Sequence, residues 1–403
     1  MSQAMLYHGF RVSGYTLKKW EFDQHRVLMH LEPQEHRVCC SACSSQNVIR
    51  RGSQIRWLRH IPIQSDMTWL IVALPTVECR DCGVTRQIKS GLAQEKRSYT
   101  HGLARYVVEL CRHMTIQGVA QHLGLGWDLV KQIHKEHLHR QFAEPELRQL
   151  RQIAIDEINL GKKRWKTIVL DLETGAIVFV ADGKKGNVLK PFFRRVKRAK
   201  AKIVAVAVDF GKAYIAAVRK HLPTATLVFD RFHLVKLFNE KLTKLRRDLY
   251  RHAVGPLQKK VLQGIRWLLL KRDAHLDDKQ SERRRLEDAL RLNESLATAY
   301  YLKEDLCQLW DQGTKERARK FLGTWYQSMM ASGTRLLHDF ARFVMTHQHG
   351  LLAWYDHPIS TGPLEGTNHK IKTLQRTHYG FRDEEYFTLR LYNLHNSRYA
   401  LVG

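Results

Sequence analysis

The chain has 403 residues, and its 67 Lys and Arg against 39 Asp and Glu leave a formal charge of +28 with histidines neutral. At 44% hydrophobic and 26% charged, with 24 Gly and 9 Pro, the composition is that of a globular protein and excludes collagen-like, low-complexity and wholly disordered classes. No window approaches the ~18 consecutive apolar residues of a membrane span, and the positive excess points to polyanionic partners, DNA or RNA, rather than to a typical metabolic substrate.

The start, MSQAMLYHGF, lacks a basic stretch followed by an apolar one, so no secretory signal is expected. The expectation is a cytoplasmic, nucleoid-associated protein with no membrane partner, built from about two to four domains. In that compartment seven cysteines argue poorly for disulfides, and their spacing carries more meaning.

Cys40-Ser-Ala-Cys43 and Cys79-Arg-Asp-Cys82 form two C-x2-C knuckles, with 35 residues between Cys43 and Cys79. That interval holds strand-forming runs such as Thr68 to Leu74 and suits a three-strand hairpin. Two thiolate pairs fit tetrahedral, structural Zn²⁺ in a zinc ribbon over residues 1–95. The metal would contribute folding energy to a segment too small to hold a core alone. Cys39 adjoins Cys40 and could replace it as ligand, whereas Cys111 and Cys307 read as buried thiols.

Residues 96–142 become helical, with Leu103, Tyr106, Val107 and Leu110 on one face. Ile116, Val119, Ala120 and Leu123 then form a short amphipathic helix, Gly124 a turn, and Trp127, Val130 and Ile133 the inner face of a second helix. This pattern predicts a helix-turn-helix. Its second helix would present Asp128, Lys131, Gln132 and Lys135 outward, with Lys131, Gln132 and Lys135 as donors to base edges and phosphates. A plain helical hairpin is the alternative.

After a linker helix over Glu144 to Gln152 come three strand-like runs, from Ile153, Trp165 and Ala176, whose short turns imply an antiparallel meander. A basic helix (Asn187 to Arg198) leads to the apolar run ending in Asp209, and another helix leads to the run ending in Asp230. These runs read as buried parallel strands. The order βββ, α, β, α, β, α is that of a ribonuclease H-like core.

In such a fold Asp156 and Asp209 share one edge of the sheet, where two hard oxygen ligands would hold Mg²⁺. Paired ions there can activate an attacking oxygen and stabilise a leaving one in phosphoryl transfer. Glu365, in the first turn of a helix marked by Ser360, Thr361 and Pro363, is the candidate for the remaining acid. His369, Lys372 and Arg376 follow on the same face as bases for DNA phosphates. Each acid also has a structural reading, Asp209 and Asp230 as helix N-caps and Glu365 as a favourable charge at a helix N-terminus.

With its paired knuckles, helix-turn-helix, the acids of AIDEI and AVDF, DRFHLVK and LEGTNHKIKTLQRTHYGFR, the chain resembles the ISL3 insertion-sequence family of DDE transposases over nearly its whole length. The resemblance implies a catalytic and Mg²⁺-binding triad of Asp156, Asp209 and Glu365. It also implies an auxiliary pair, Asp230 and His233. Two Mg²⁺ ions, with Mn²⁺ able to substitute, are the implied cofactors. DNA strand cleavage and transfer into target DNA is the implied activity, with binding to terminal inverted repeats and a homo-oligomer, dimer or higher, in the synaptic complex. His233 has a second reading as a packed histidine hydrogen-bonded to Asp230.

The first part of the core is expected at residues 143–252, a helical insertion at 253–356 and the last part at 357–403. Lys241 to Arg272 holds ten basic residues and one acid, and Lys184 to Lys202 nine basic residues and none. Such one-sided stretches favour phosphate contact over a merely solvated surface. Trp267, Trp310, Trp325, Tyr326, Trp354 and Tyr355 read as helical core. Two other functions stay open: a sequence-specific DNA-binding regulator derived from a transposase, and a structure-selective nuclease of the same fold.

Overall fold

The computed structural model describes residues 3–278 and 280–395, so 396–403, the end of the last expected segment, lie outside the described residues. The chain divides into two compact units. One comprises the residues up to Ala143 with Thr377–Leu389, the other Glu144–Arg376 with the residues from Arg390 on. No helix among the described residues is long and apolar enough to cross a membrane.

The first unit opens with α1 (Gln3–Phe10), β1 (Tyr15–Asp23), β2 (Arg26–Pro33), β3 (Val48–Arg59), β4 (Met67–Cys79) and β5 (Thr85–Gln87). The sheet runs β1-β2-β4-β3 with β5 also on β4, and the β2–β4 pair is parallel. Two long strands, β3 and β4, therefore span the interval between the knuckles, where three were expected. This module also holds a core of its own, with Tyr15, Met29, Leu31, Leu58, Leu70 and Leu74 buried together. The expectation of a coreless segment is corrected, because β1 and β2 precede the knuckles and extend the sheet beside β4, and α1 adds Leu6 to the same core.

Three helices follow, α2 (His101–His113), α3 (Ile116–Leu123) and α4 (Trp127–Phe142). Thr100 and Thr115 cap the first two, their side chains accepting from the N–H groups of Leu103 and Gly118. Gly124 ends α3 at φ +61°, the left-handed conformation a helix stop requires. Leu103, Val107, Val119, Leu123, Val130 and Ile133 interlock as expected. Trp127 does not face inward. It is 44% exposed, with Lys131 Nζ 5.3 Å from its ring centre.

The expected linker helix over Glu144 to Gln152 is absent. Pro145 disfavours helix at the residue before it, and the segment forms turns that bury Leu147 and Leu150 in the second unit's core. There β6 (Gln152–Asn159), β7 (Trp165–Asp171) and β8 (Ile177–Asp182) make the antiparallel meander. After α5 (Lys190–Arg198) come β9 (Ala205–Val208), α6 (Lys212–His221), β10 (Thr226–Phe229) and α7 (Arg231–His252). The sheet order is β10-β9-β6-β7-β8, with β6, β9 and β10 parallel.

From α7 to residue 361 the described chain is helical: α8 (Pro256–Gly264), α9 (Glu282–Arg291), α10 (Glu294–Cys307), α11 (Lys315–Ala331), α12 (Arg335–Thr346) and α13 (Gln348–Leu352). These helices share one core with the sheet. Phe238 of α7 stacks on Phe340 of α12 at 4.7 Å, and Trp325 meets the pair edge-on. Gly350 lets α13 lie against β10, since a methyl group there would stand 2.3 Å from Phe229 Cδ2. Trp310 and Trp325 are buried, and Tyr326, Trp354 and Tyr355 pack against the core. Trp267 departs from expectation at 63% exposed, with the Arg266 guanidinium 4.5 Å from its ring centre. Finally α14 (Gly362–Thr377) and α15 (Glu384–Tyr392) close the described chain.

One buried group ties the first unit together. His60 Nε2 lies 3.0 Å from the Phe10 carbonyl and Nδ1 2.9 Å from the Thr100 hydroxyl. A carbonyl only accepts, so Nε2 carries the proton and Nδ1 accepts from Thr100. Burial holds the ring down at about 4. A base depressed on folding lends its full stability above its unfolded value near 6.5 and loses it as pH falls towards 4. His60→Asn should destabilise this unit at pH 7, and the gap from wild type should narrow by about 2 kcal/mol at pH 5. Denaturant melts at the two pH values test this; a gap independent of pH contradicts it.

Candidate functional site

The parallel register builds the acid cluster. Ile155 pairs with Val208 and Val208 with Phe229, so the next residues, Asp156, Asp209 and Asp230, stand at neighbouring strand positions. Beyond that point β9 and β10 turn away while β6 continues against β7 alone. The opening ladder leaves a crevice at the carboxyl ends of the parallel strands.

Asp156 and Asp209 are held differently. Asp156 Oδ1 accepts the Glu157 N–H at 2.8 Å, and Oδ2 accepts from Asn368 Nδ2 at 3.2 Å. Asp209 Oδ1 accepts the Gly211 N–H at 2.9 Å. A methyl group on Gly211 would stand 2.8 Å from that oxygen, so only glycine leaves the carboxylate in place. Burial raises the Asp156 carboxyl above the usual range and the Asp209 charge raises it further, while the His233 imidazole draws it down.

Asp230 is nearly inaccessible, and both of its carboxylate oxygens accept backbone N–H groups. Oδ1 takes that of His233 at 3.1 Å and Oδ2 that of Thr361 at 2.8 Å. It caps α7 and grips the residue before α14. The contact between Asp230 and His233 therefore runs through the His233 backbone, and the imidazole acts on Asp156 instead.

Glu365 is exposed in the first turn of α14, and His369, Lys372 and Arg376 continue its face, all exposed. Asn368, three residues after Glu365, is the α14 residue that touches Asp156. Among the described residues the three carboxylates do not form a set of ligand atoms within 4.8 Å of one another.

Two participants escaped the sequence reading. Glu157, inside the AIDEI run, is raised by burial and by the Asp209 and Asp156 charges, and the Tyr214 hydroxyl draws it down. Asn368 lies inside LEGTNHKIK at helical spacing from Glu365, which was the available clue; its Oδ1 is buried without a hydrogen-bond partner.

In the first unit the sulfurs of Cys40, Cys43, Cys79 and Cys82 lie within 4.8 Å of one another, and Cys39 is not among them. Cys40 and Cys82 are 3.6 Å apart, Cys43 and Cys79 3.5 Å. Tetrahedral zinc with bonds of about 2.3 Å asks for about 3.8 Å between sulfurs, so the cluster fits that ion. Backbone N–H groups of Cys43 and Ala42 hold the Cys40 thiol down at about 6.

On α4, Lys131 and Lys135 do not stand free. Both pair with Asp383 at 3.0 Å, and Lys135 also with Glu385 at 2.7 Å. Burial raises the Asp383 carboxyl, but the Tyr386 N–H and the two ammonium groups outweigh it and hold the group at about 2. His134 Nδ1 lies 2.8 Å from the Tyr386 hydroxyl. Gln132 is exposed and bonds Glu136, and Asp128 is exposed.

Comparison with known proteins gives this geometry a family. Residues 153–391 match a family described as transposase, and residues 90–138 match the helix-turn-helix domain of transposase family ISL3. The transposase for insertion sequence element IS1001 of Bordetella parapertussis is 30% identical over 388 residues, 95% of each chain. The transposase for insertion sequence element IS1557 of Mycobacterium tuberculosis is 25% identical, covering 94% of this chain and 91% of its own. The solved Drosophila P element transposase strand transfer complex aligns at 10% identity and a TM-score of 0.38, over 74% of this chain and 92% of that one. The chain belongs to the ISL3 family of transposases and carries that family's helix-turn-helix domain.

Proposed function

We propose that the second unit is a ribonuclease H-like DDE core and that Asp156, Asp209 and Glu365 form its catalytic triad. The observation that carries this reading is the register that sets Asp156 beside Asp209, with Asn368 of the Glu365 helix hydrogen-bonded to Asp156. A meander followed by parallel strands, in the order β10-β9-β6-β7-β8, supports the fold assignment.

The donor set fits Mg²⁺. It consists of hard oxygens, two like charges are held side by side, and a buried amide oxygen lacks a partner. Asp156, Asp209 and Glu365 would hold two ions, with Mn²⁺ able to replace them. When bound, the metal supplies activation of an attacking oxygen and stabilisation of a leaving oxygen in phosphoryl transfer.

The protein's own groups divide the remaining work. The Glu157 and Gly211 N–H groups and the Asn368 amide fix the orientation of the two aspartates. His233 sets a basic ring close enough to Asp156 to act on its charge. His369, Lys372 and Arg376 offer cations to DNA phosphates along the Glu365 face. Asp230 acts as a positioning residue that locks α7 to the start of α14. In the first unit the helix-turn-helix, with Gln132 exposed and Lys131 and Lys135 sharing Asp383, recognises the terminal inverted repeats. The four-cysteine cluster holds structural zinc, and joining two element ends into target DNA requires a homo-oligomer.

The test is cleavage and joining of labelled element-end DNA in Mg²⁺. Asp209→Asn should abolish both while leaving end binding nearly intact. Equal loss of binding would remove Asp209 from the chemistry. Wild-type protein that binds ends but never cuts would favour a regulator, and cutting of branched DNA regardless of ends would favour a structure-selective nuclease.

Zinc has its own check. Metal analysis should find one zinc per chain, bound by Cys40, Cys43, Cys79 and Cys82. Because the sheet has its own core, stripping the metal should loosen the knuckles and weaken end binding without unfolding β1, β2 and β4. Absence of zinc, or unfolding of the whole module on chelation, would contradict this.

A further inference from the structure

The hairpin between β6 and β7 turns in an unusual way. Arg164 N–H donates to the Gly161 carbonyl at 2.9 Å, and Leu160 N–H to the Arg164 carbonyl at 2.8 Å. The two central residues, Lys162 and Lys163, have φ of +47° and +63°. Two left-handed central residues mark a type I′ turn, whose favoured pair is Asn-Gly. A Cβ atom crowds the following carbonyl oxygen in that conformation, so residues other than glycine are disfavoured there. Here the sequence places a lysine at both positions, so it carries charge where turn geometry asks for small residues.

Lys163 lines a cleft of about 530 Å³ between the hairpin and the end of β8, and Lys162 precedes it in the turn. Five cations line it: Lys163, Arg164, Lys166, Lys184 and Lys185. The acid in the lining, Asp182, is bonded to Lys166 at 2.7 Å. Lys184 Nζ lies 4.3 Å from the ring centre of Trp165, which also lines the cleft. Cations outnumber the acid, so the lining carries net positive charge.

The cleft adjoins the acid cluster from two sides. Gln375, in the last turn of α14, donates to the Leu160 carbonyl at 3.2 Å and so seats that helix on the hairpin. Lys166 of the lining pairs with Ile158, two residues along β6 from Asp156. Thr167, the cross-strand partner of Glu157, bonds the Gly183 carbonyl of the lining at 2.7 Å. Along β6 the cleft thus begins about 7 Å from Asp156, at ~3.3 Å per residue.

We propose that this cleft seats the sugar-phosphate backbone of the DNA strand beside the reacting phosphate, and that Lys163 is kept in the turn for that contact. The cleft is far too small to enclose a duplex, so it takes backbone units of one strand, independent of base sequence. The proposal rests on the DNA-processing reading of the acid cluster.

Its test uses the full chain carrying Asp209→Asn, so that binding to element-end DNA is measured without cleavage. Replacing Lys162 and Lys163 by Asn and Gly should raise the melting temperature, because the turn gains its preferred residues. The same change should lower the slope of log affinity against log salt by about one, close to 0.9 for the lost Lys163 contact. Lys184→Ala with Lys185→Ala, on the opposite wall, should lower the slope similarly without the stability gain. Either double variant should protect fewer backbone positions next to the cleavage point in phosphate-ethylation interference.

An unchanged slope and footprint in both double variants would overturn the proposal. Because the slope is read without catalysis, failure of wild type to cut DNA sinks the catalytic reading while the binding result still judges the cleft.

Discussion

Everything in the second unit follows from holding two like charges at the ends of adjacent parallel strands. Apolar neighbours on both strands, Ile155 and Val208 among them, keep the register from slipping, because a one-residue shift would send each aspartate to the other face of the sheet. The repulsion between Asp156 and Asp209 is tolerated because backbone N–H groups and the Asn368 amide satisfy their oxygens. The same repulsion makes the position attractive to a cation, so the sheet core stores the affinity that a metal would release.

The long helical stretch serves this arrangement. It leaves the sheet at Asp230 and returns at Thr361, and one carboxylate clasps both ends of the excursion. Its interior joins the sheet through Phe229 against Gly350 and through the stacked pair Phe238 and Phe340. An excursion packed this way sets the position of α14, and with it Glu365, Asn368 and the basic stripe.

Much of this was legible in the residues. Uninterrupted apolar runs ending in Asp209 and Asp230 announced buried parallel strands, and the paired knuckles announced the four-sulfur cluster. What stayed hidden depends on partners far along the chain. Lys131 and Lys135 read as outward donors because the carboxylate that claims them, Asp383, lies about 250 residues later. Trp127 carried the right spacing for a core position, but periodicity does not tell which end of a stripe runs out of partners. The core of the N-terminal module escapes a reading centred on the knuckles, because Tyr15, Met29 and Leu31 come from strands that lie before Cys40.

The clasp at Thr361 and the docking of residues 377–389 within the first unit impose an order on biosynthesis. The ribosome makes the four-sulfur cluster, the three helices and the meander first, yet Asp230 lacks its second partner until Thr361 has emerged, and α4 lacks Asp383 and Tyr386 until those residues have. A nascent or prematurely terminated chain thus holds neither a finished helical unit nor a finished acid cluster.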